Sequence, residues 1–397
     1  MSLNETPRAE RLHIGLFGRA NSGKSSLINA LTGQEAALVS DVAGTTADPV
    51  YKAMELHPVG PVVFLDTAGF DDKSELGALR VEGTRRAAEK TDIAILVFPP
   101  EGELSAETEW AAFFRERGVP VIAALGKQDA AGRPAARAAE IEAATGLVPL
   151  LISAKTGEGI PSLREEIARH VPAGYGAGSI TGRLVREDDV VLLVMPQDIQ
   201  APKGRLILPQ VQTIRDLLDR QCTVVCTTAE RLEKAYSALS APPALVITDS
   251  QVFPLVHRSL PKGARLTSFS VLMAQYKGDI EAFLKGAEAI DSLNENSHVL
   301  IAEACTHAPK EEDIGRVKLP RLLRKKAGEG LSVTVVSGTD FPEDLSPYDL
   351  VIHCGACMFN RRYVLSRVQK AEEQGVPITN YGVAIAKLSG ILDKISF

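Results

Sequence analysis

Two groups of residues in this 397-residue chain have types and spacings suited to chemistry. The first is Gly18-Arg-Ala-Asn21-Ser22-Gly23-Lys24-Ser25-Ser26, which contains the run G-x-x-x-x-G-K-S. In such a run backbone N–H groups wrap phosphates, the lysine offers a point charge to the β- and γ-phosphates, and the serine hydroxyl ligates Mg²⁺. The second is Cys305-x-His307, followed after 45 residues by His353-Cys354-x-x-Cys357. Thiolates and imidazoles in that pattern suit zinc, an iron–sulfur cluster or a C-x-x-C redox pair. Spacing alone leaves these three open.

The elements that must position the first group are legible. LHIGLFG (Leu12–Gly18) is an apolar run, read as a buried strand, and SLINALTG has a helical pattern ending at Gly33. A strand–loop–helix context is what a phosphate-binding loop requires. Four further segments follow in order. Gly44-Thr45-Thr46 lies in a polar loop suited to switching. VVFLD-TAGF is a strand ending at Asp66, a carboxylate for Mg²⁺, with Gly69 placed to meet a γ-phosphate. VPVIAAL leads to Gly126-Lys127-Gln128-Asp129, and LVPLLI leads to Ser153-Ala154-Lys155. Strands alternating with helices, with ligands at strand carboxyl ends, predict an α/β fold with a mostly parallel sheet.

Over residues 12–172 this set resembles the TrmE–Era–EngA branch of the translation-factor-like GTPases. The resemblance implies GTP and GDP as ligands, with Mg²⁺. It implies phosphate and metal contacts from Gly18, Asn21, Ser22, Gly23, Lys24, Ser25, Ser26, Thr45, Thr46, Asp66 and Gly69. Lys127 and Asp129 would read guanine, buttressed by Ser153, Ala154 and Lys155. Lys24, Thr46 and Gly69 would act in catalysis. The family pattern N-K-x-D is broken by Gly126 in place of its asparagine, so weaker guanine affinity is expected. Asn21 stands where potassium-activated members of the branch have their K⁺ ligand. Phe70 follows D-T-A-G where small GTPases carry a water-orienting glutamine, and phenylalanine cannot orient water. Slow hydrolysis, helped by K⁺, Thr45, Thr46 or Glu75, is the expectation.

After His170-Val-Pro-Ala-Gly-Tyr-Gly-Ala-Gly-Ser179, a stretch read as a flexible linker, the pattern restarts. Val191–Gly204 resembles Ser297–Glu311, Ala244–Phe253 resembles Asp349–Phe359, and Arg265–Gly278 resembles Pro377–Gly390. The repetition predicts two smaller α/β units related by duplication, each running strand, helix, strand, strand, helix, strand, helix. The helical segment Tyr276–Leu293 should join them. The expected domains are 1–173, 180–278 and 279–397. Cysteines occur at two strand-end loops of the second copy, where the first has Asp198, Gln200, Thr248 and Asp249. Cys222 and Cys226, on an apolar strand, are expected to be core thiols.

A redox C-x-x-C pair would leave Cys305 and His307 unexplained. Zinc would take Cys₃His, and a cubane cluster held by three cysteines would leave one iron open. The complete pattern, CxH…HCxxC behind a TrmE–Era-type domain, resembles the HydF family of FeFe-hydrogenase maturation GTPases. That resemblance spans the chain. It implies a 4Fe–4S cluster on Cys305, Cys354 and Cys357, with His307 or His353 at the fourth position in some states. It also implies a homodimer through the middle domain. As cargo it implies a diiron precursor bearing CO and CN⁻, received from two radical-SAM maturases and delivered to apo FeFe-hydrogenase. The alternative is a tRNA-modification or ribosome-associated GTPase with structural zinc.

Composition bounds these readings. Hydrophobic residues make up 45% and charged residues 24%, as in ordinary soluble proteins. The net charge of −6 and the lack of a basic run argue against a nucleic-acid partner. No apolar run reaches the length of a membrane span, and the N-terminal residues lack the apolar core of a signal peptide. Five cysteines, an odd number, fit reduced thiols and a cytoplasmic location.

Overall fold

The computed structural model describes residues 7–32, 50–70, 77–127, 133–172, 175, 178–196, 206–303, 314–338, 340–356 and 359–397. They form two compact units, 1–176 and 177–397.

The first unit is built on β1 (Leu12–Gly18), β2 (Val50–Leu56), β3 (Gly60–Asp66), β4 (Ile93–Phe98), β5 (Val121–Leu125) and β6 (Leu150–Leu151). Their order is β2-β3-β1-β4-β5-β6, with β2 antiparallel to β3 and every other pair parallel. Helices α1 (Lys24–Thr32), α2 (Gly77–Ala88), α3 (Ser105–Glu116), α4 (Pro134–Thr145) and α5 (Ile160–Arg169) accompany it. β1 and β4 are buried at every position because helices cover both faces, which is why they read as unbroken apolar runs. Leu27, Ile28 and Leu31 of α1 pack with Leu163 and Ile167 of α5 on one face. Trp110 and Phe114 of α3 pack with Ile141 of α4 on the other. The stretch expected to be a loose linker is anchored at Tyr175. Its hydroxyl donates to the carbonyls of Glu10 (3.0 Å) and Pro61 (3.2 Å).

The second unit holds two four-stranded parallel sheets. The first comprises β7 (Val190–Val194), α6 (Leu208–Asp219), β8 (Thr223–Thr227), α7 (Leu232–Ser237), β9 (Leu245–Thr248), α8 (Phe253–Ser259), β10 (Leu266–Ser268) and α9 (Phe269–Lys277). After α10 (Ile280–Glu288) come β11 (His298–Glu303), α11 (Leu319–Ala327), β12 (Ser332–Ser337), β13 (Leu350–His353), α12 (Arg361–Glu373), β14 (Ile378–Asn380) and α13 (Tyr381–Leu388). The strand orders β8-β7-β9-β10 and β12-β11-β13-β14 are the same: second, first, third, fourth. That identity supports the duplication expected from sequence. The second copy runs as anticipated, whereas the first carries the extra short helix α7.

The expected continuous helix over 276–293 is broken. α9 stops at Lys277, and Asp279 caps a new helix by accepting from Ala282 N–H at 3.0 Å. The break lets α10 lie across β14, where the Thr379 hydroxyl donates to the Phe283 carbonyl at 2.8 Å. Gly286 is required there, since a Cβ would stand 1.9 Å from the Ile378 carbonyl oxygen. The segment after α13 covers β10. Ile391 and Ile395 join the core around Leu266, and Ser396 N–H donates to the Leu266 carbonyl at 2.8 Å. The segment after α13 thus closes an edge of the first copy's sheet, and α10, the link between the copies, covers β14. Ser270 and Gly382, equivalent positions of the two copies, also meet: a Cβ at Gly382 would lie 2.6 Å from Ser270 Oγ. Contact between equivalent positions is the mark of a two-fold arrangement. Here it lies within one chain.

Candidate functional site

The phosphate loop is formed as the sequence predicts. β1 runs into the turn 19–23, and α1 starts at Lys24. Asn21 and Gly23 turn the chain with φ of 59° and 100°. The loop is closed by Ser22 N–H donating to the Arg19 carbonyl at 3.2 Å. Lys24 is buried, and its Nζ donates to the carbonyls of Gly18 (2.9 Å) and Arg19 (2.8 Å). This places a cation and the positive end of a helix at one point. Ser22 Oγ is buried without a hydrogen-bond partner among the described residues. An orphaned hydroxyl beside such a loop fits an anionic ligand. Ser25, Ser26 and Asn21 are exposed at its mouth.

Asp66 ends β3 beside this loop, because β3 pairs with β1 at Leu16. The Thr67 hydroxyl donates to the Leu16 carbonyl at 2.5 Å and fixes the turn that follows. Gly69 packs directly on the loop, so that a Cβ there would stand 2.3 Å from Ala20 N. Phe70 stacks on Trp110 with ring centroids 5.8 Å apart and takes no part in orienting a water. Arg19 is held by the fully buried Glu107 of α3, with Nε donating to Oε1 at 2.8 Å.

A cavity of about 250 Å³ opens beside the loop. It is lined by Ser22, Gly23 and Ser26 on one side, and by Gly126, Lys127, Ala154 and Lys155 on the other. The buried Ser153 shapes that wall: its Oγ accepts from Thr156 N–H at 3.2 Å. The structure therefore brings together the phosphate residues and the residues expected around a base. Thr45, Thr46, Glu75 and Asp129 lie outside the described residues.

The second constellation lies at the carboxyl end of the last sheet. β11 and β13 are adjacent and parallel, Ala302 stands opposite His353, and Cys354 N–H donates to the Ala302 carbonyl at 2.9 Å. This is the reversal point of the strand order, where such sheets bind ligands. Cys354 is half-buried, and its Sγ accepts from Ala356 N–H at 3.4 Å. Ala356 reaches that position with φ of 46°. Among the described residues no group of three or more His, Cys, Asp or Glu is placed to hold a metal. Cys305, His307 and Cys357 lie outside them, as do Asp198 and Gln200 of the first copy.

His353 is differently placed from the ligand expected. It is fully buried, and both ring nitrogens are engaged. Nδ1–H donates to the Cys354 carbonyl at 2.7 Å, and Nε2 accepts from Arg367 Nη1 at 3.0 Å. Burial, with the Arg367 guanidinium beside it, pushes its pKa down to about 3, so the ring is neutral. With both nitrogens occupied, iron ligation by His353 would require breaking one of these bonds. Arg367 itself escaped the sequence reading. Its signal was an arginine within the apolar stripe Tyr363, Val364, Val368, Ala371 of α12. Cys222 is buried as expected, but Cys226 is exposed, because β8 is an edge strand.

The phosphate loop, the strand-end aspartate and the adjoining cavity define the first unit as a P-loop GTPase domain. Residues 13–127 match the 50S ribosome-binding GTPase domain family. Residues 180–278 match the hydrogen maturase F dimerization domain, and residues 281–396 its tetramerization domain. The chain belongs to the hydrogen maturase F (HydF) family. It is similar to the tRNA modification GTPase MnmE of Paraburkholderia xenovorans, at 37% identity over 186 residues. These are 46% of this chain and 39% of the relative. MnmE of Burkholderia cenocepacia is 36% identical over 191 residues, 48% of this chain and 40% of the relative. The chain thus spans about two-fifths of the length of these curated relatives. Among solved structures, Aquifex aeolicus Era bound to GDP and aluminium fluoride aligns with a TM-score of 0.35. It shows 20% identity and covers 57% of this chain and 98% of that one. No helix among the described residues is long and apolar enough to cross a membrane.

Proposed function

We propose that the chain is a GTP-hydrolysing scaffold that carries a 4Fe–4S cluster and assembles or delivers a diiron precursor to apo FeFe-hydrogenase. The observation that carries this reading is the pairing of β11 with β13. It brings the residues that run into Cys305 alongside His353-Cys354, within the part of the chain matched by a hydrogen maturase F domain. Cys305, Cys354 and Cys357 would hold the cluster, with His307 or His353 at its fourth position in some states, His353 at the cost of one of its two hydrogen bonds. The half-buried Cys354 thiol, already accepting an N–H bond, is a donor of the soft kind that iron–sulfur centres use. The cluster would supply an iron site with an exchangeable position. The diiron unit with its CO and CN⁻ ligands is the cargo, received from radical-SAM maturases.

In the GTPase domain Lys24 and the loop amides would hold the phosphates, and Ser25, Thr46 and Asp66 would hold Mg²⁺. Asn21 would hold K⁺ against the phosphates. Gly69, pressed against Ala20, would offer its N–H to a γ-phosphate. Asp129 and Lys127 would read guanine, with Ser153, Ala154 and Lys155 behind them. With Phe70 stacked on Trp110, hydrolysis would be slow and stimulated by K⁺. The middle sheet would form a homodimer, and the setting is cytoplasmic. Anaerobic reconstitution with iron and sulfide, followed by EPR of the reduced protein, tests the cluster. A cubane signal is expected in the wild type and is expected to be lost in Cys305→Ser. Stoichiometric zinc without cluster uptake would reject the reading.

A further inference from the structure

Arg367 is 2% exposed, and buried charges are rare in folded proteins unless paired. Among the described residues every partner it has is neutral. Nη1 donates to His353 Nε2 at 3.0 Å, and Nη2 donates to the Gly338 carbonyl at 2.7 Å and to the Tyr363 hydroxyl. The guanidinium lies over the rings of Tyr363 (4.3 Å) and Phe341 (4.7 Å). Its Nε has no partner among the described residues. Glu343, the carboxylate near Phe341 in the chain, is held by Lys370 at 2.7 Å. No carboxylate among the described residues pairs with Arg367. A desolvated cation is costly unless an anion offsets it, and the described protein groups around this one provide none.

The unbalanced charge lies one imidazole ring from Cys354, since His353 accepts from Arg367 and donates to the Cys354 carbonyl. The first copy of the repeat provides an internal comparison. At the position of His353 it has Thr248, whose hydroxyl donates to the Val194 carbonyl at 3.0 Å. In α8, the counterpart of α12, the arginine Arg258 is exposed. The copy without thiols at its strand ends therefore lacks a buried arginine on this helix; its own buried cation, Lys277 of α9, donates instead to the Phe359 carbonyl at 3.0 Å.

We propose that Arg367 is the fixed countercharge of the iron–sulfur site: a positioning residue that holds Cys354 through His353 and raises the reduction potential of the cluster. This rests on the cluster reading given above. A cluster on three thiolates is an anion, and reduction adds a further negative charge. A cation built in beside it favours the reduced form, and local charge is one of the main determinants of such potentials. The hydrogen bonds fix the backbone that presents the Cys354 thiol, and the charge would favour the reduced form of a cluster held there.

The test is an EPR-monitored redox titration of the full-length reconstituted protein as wild type, Arg367→Lys, Arg367→Met and Arg367→Gln. Circular dichroism checks each fold. The lysine variant should stay near the wild-type potential. Both neutral variants should shift down, with the reduced-to-oxidised ratio at a fixed potential falling about tenfold, ~59 mV for one electron. A lysine variant shifted as far as the neutral ones would overturn the role of charge. So would neutral variants holding a full cluster at the wild-type potential. Failure of both neutral variants to fold would make Arg367 a structural cation and overturn the assignment. No cluster in the wild type would reject the cluster reading itself, whereas a wild-type cluster with unchanged potentials would reject only the role of Arg367.

Discussion

Position 126 is glycine where the resembling GTPases have asparagine. A Cβ there would meet the Ser22 carbonyl oxygen at 3.2 Å, so the phosphate loop need give way by only a few tenths of an ångström. Gly126→Asn should therefore be accommodated and should tighten GDP by ~1 kcal/mol, the net worth of one hydrogen bond. Isothermal titration calorimetry reads this, and unchanged affinity would mean that the lost contact is already replaced. Asn21, exposed at the loop mouth, supports a second expectation. Replacing K⁺ with Na⁺ should slow GTP turnover in the wild type and leave Asn21→Ala unaffected; equal wild-type rates in the two salts would dismiss the potassium role. Residues of this kind were legible because their chemistry is local: a strand, a turn and a helix within 20 positions. Arg367 was not, because nothing adjacent in sequence indicates that α12 turns that face toward His353 and Gly338. The saturation of His353 was hidden for the same reason.

Strands were easier to read than their rank within a sheet. β1 coincides with the apolar run read as a strand, whereas the β11–β13 adjacency is seen only in the sheet itself, since a repeat requires the same strand order in both copies without saying which. Cys226 was misplaced because an apolar strand at the edge of a sheet resembles one at its centre when seen alone. The helix expected across 276–293 was misread for a related reason. Its pattern continues through Gly278-Asp279, but packing on β14 demands a break. That packing makes a sharp prediction. Gly286→Ala forces a methyl group to within 1.9 Å of the Ile378 carbonyl oxygen, so α10 must move away from β14. Overpacking of this sort typically costs 1–3 kcal/mol, readable as a lower urea midpoint with unchanged slope. A midpoint equal to the wild type would show that α10 is only loosely seated.

Across the second unit, β10 is covered by the segment after α13 and β14 by α10, which leaves β8 and β12 as the outer strands of their sheets. Exposed edges are templates for pairing with another chain. β8 lies in the stretch matched by the dimerization domain, and its Thr223 and Cys226 are exposed. Placing lysines at both positions should halve the sedimenting mass, since like charges would face each other across the joint. An unchanged mass would move the interface elsewhere in 180–278.

The covering of these edges also bears on how the protein can be divided. The second copy's last residues serve as structure for the first copy's sheet, while α10, which follows the first copy, roofs the second copy's sheet. The middle sheet cannot be cut free at 278 without baring β10, which the residues after α13 seal, whereas α10 stays with the second copy's sheet and goes on covering β14. A fragment carrying only the cysteine-bearing half would lose its contacts with α9, and a middle-sheet fragment would lose Ile391, Ile395 and Ser396. Excising the middle sheet is expected to give aggregates rather than a minimal domain. A fusion partner at the carboxyl end would press on the seal over β10, far along the chain from the strand it disturbs.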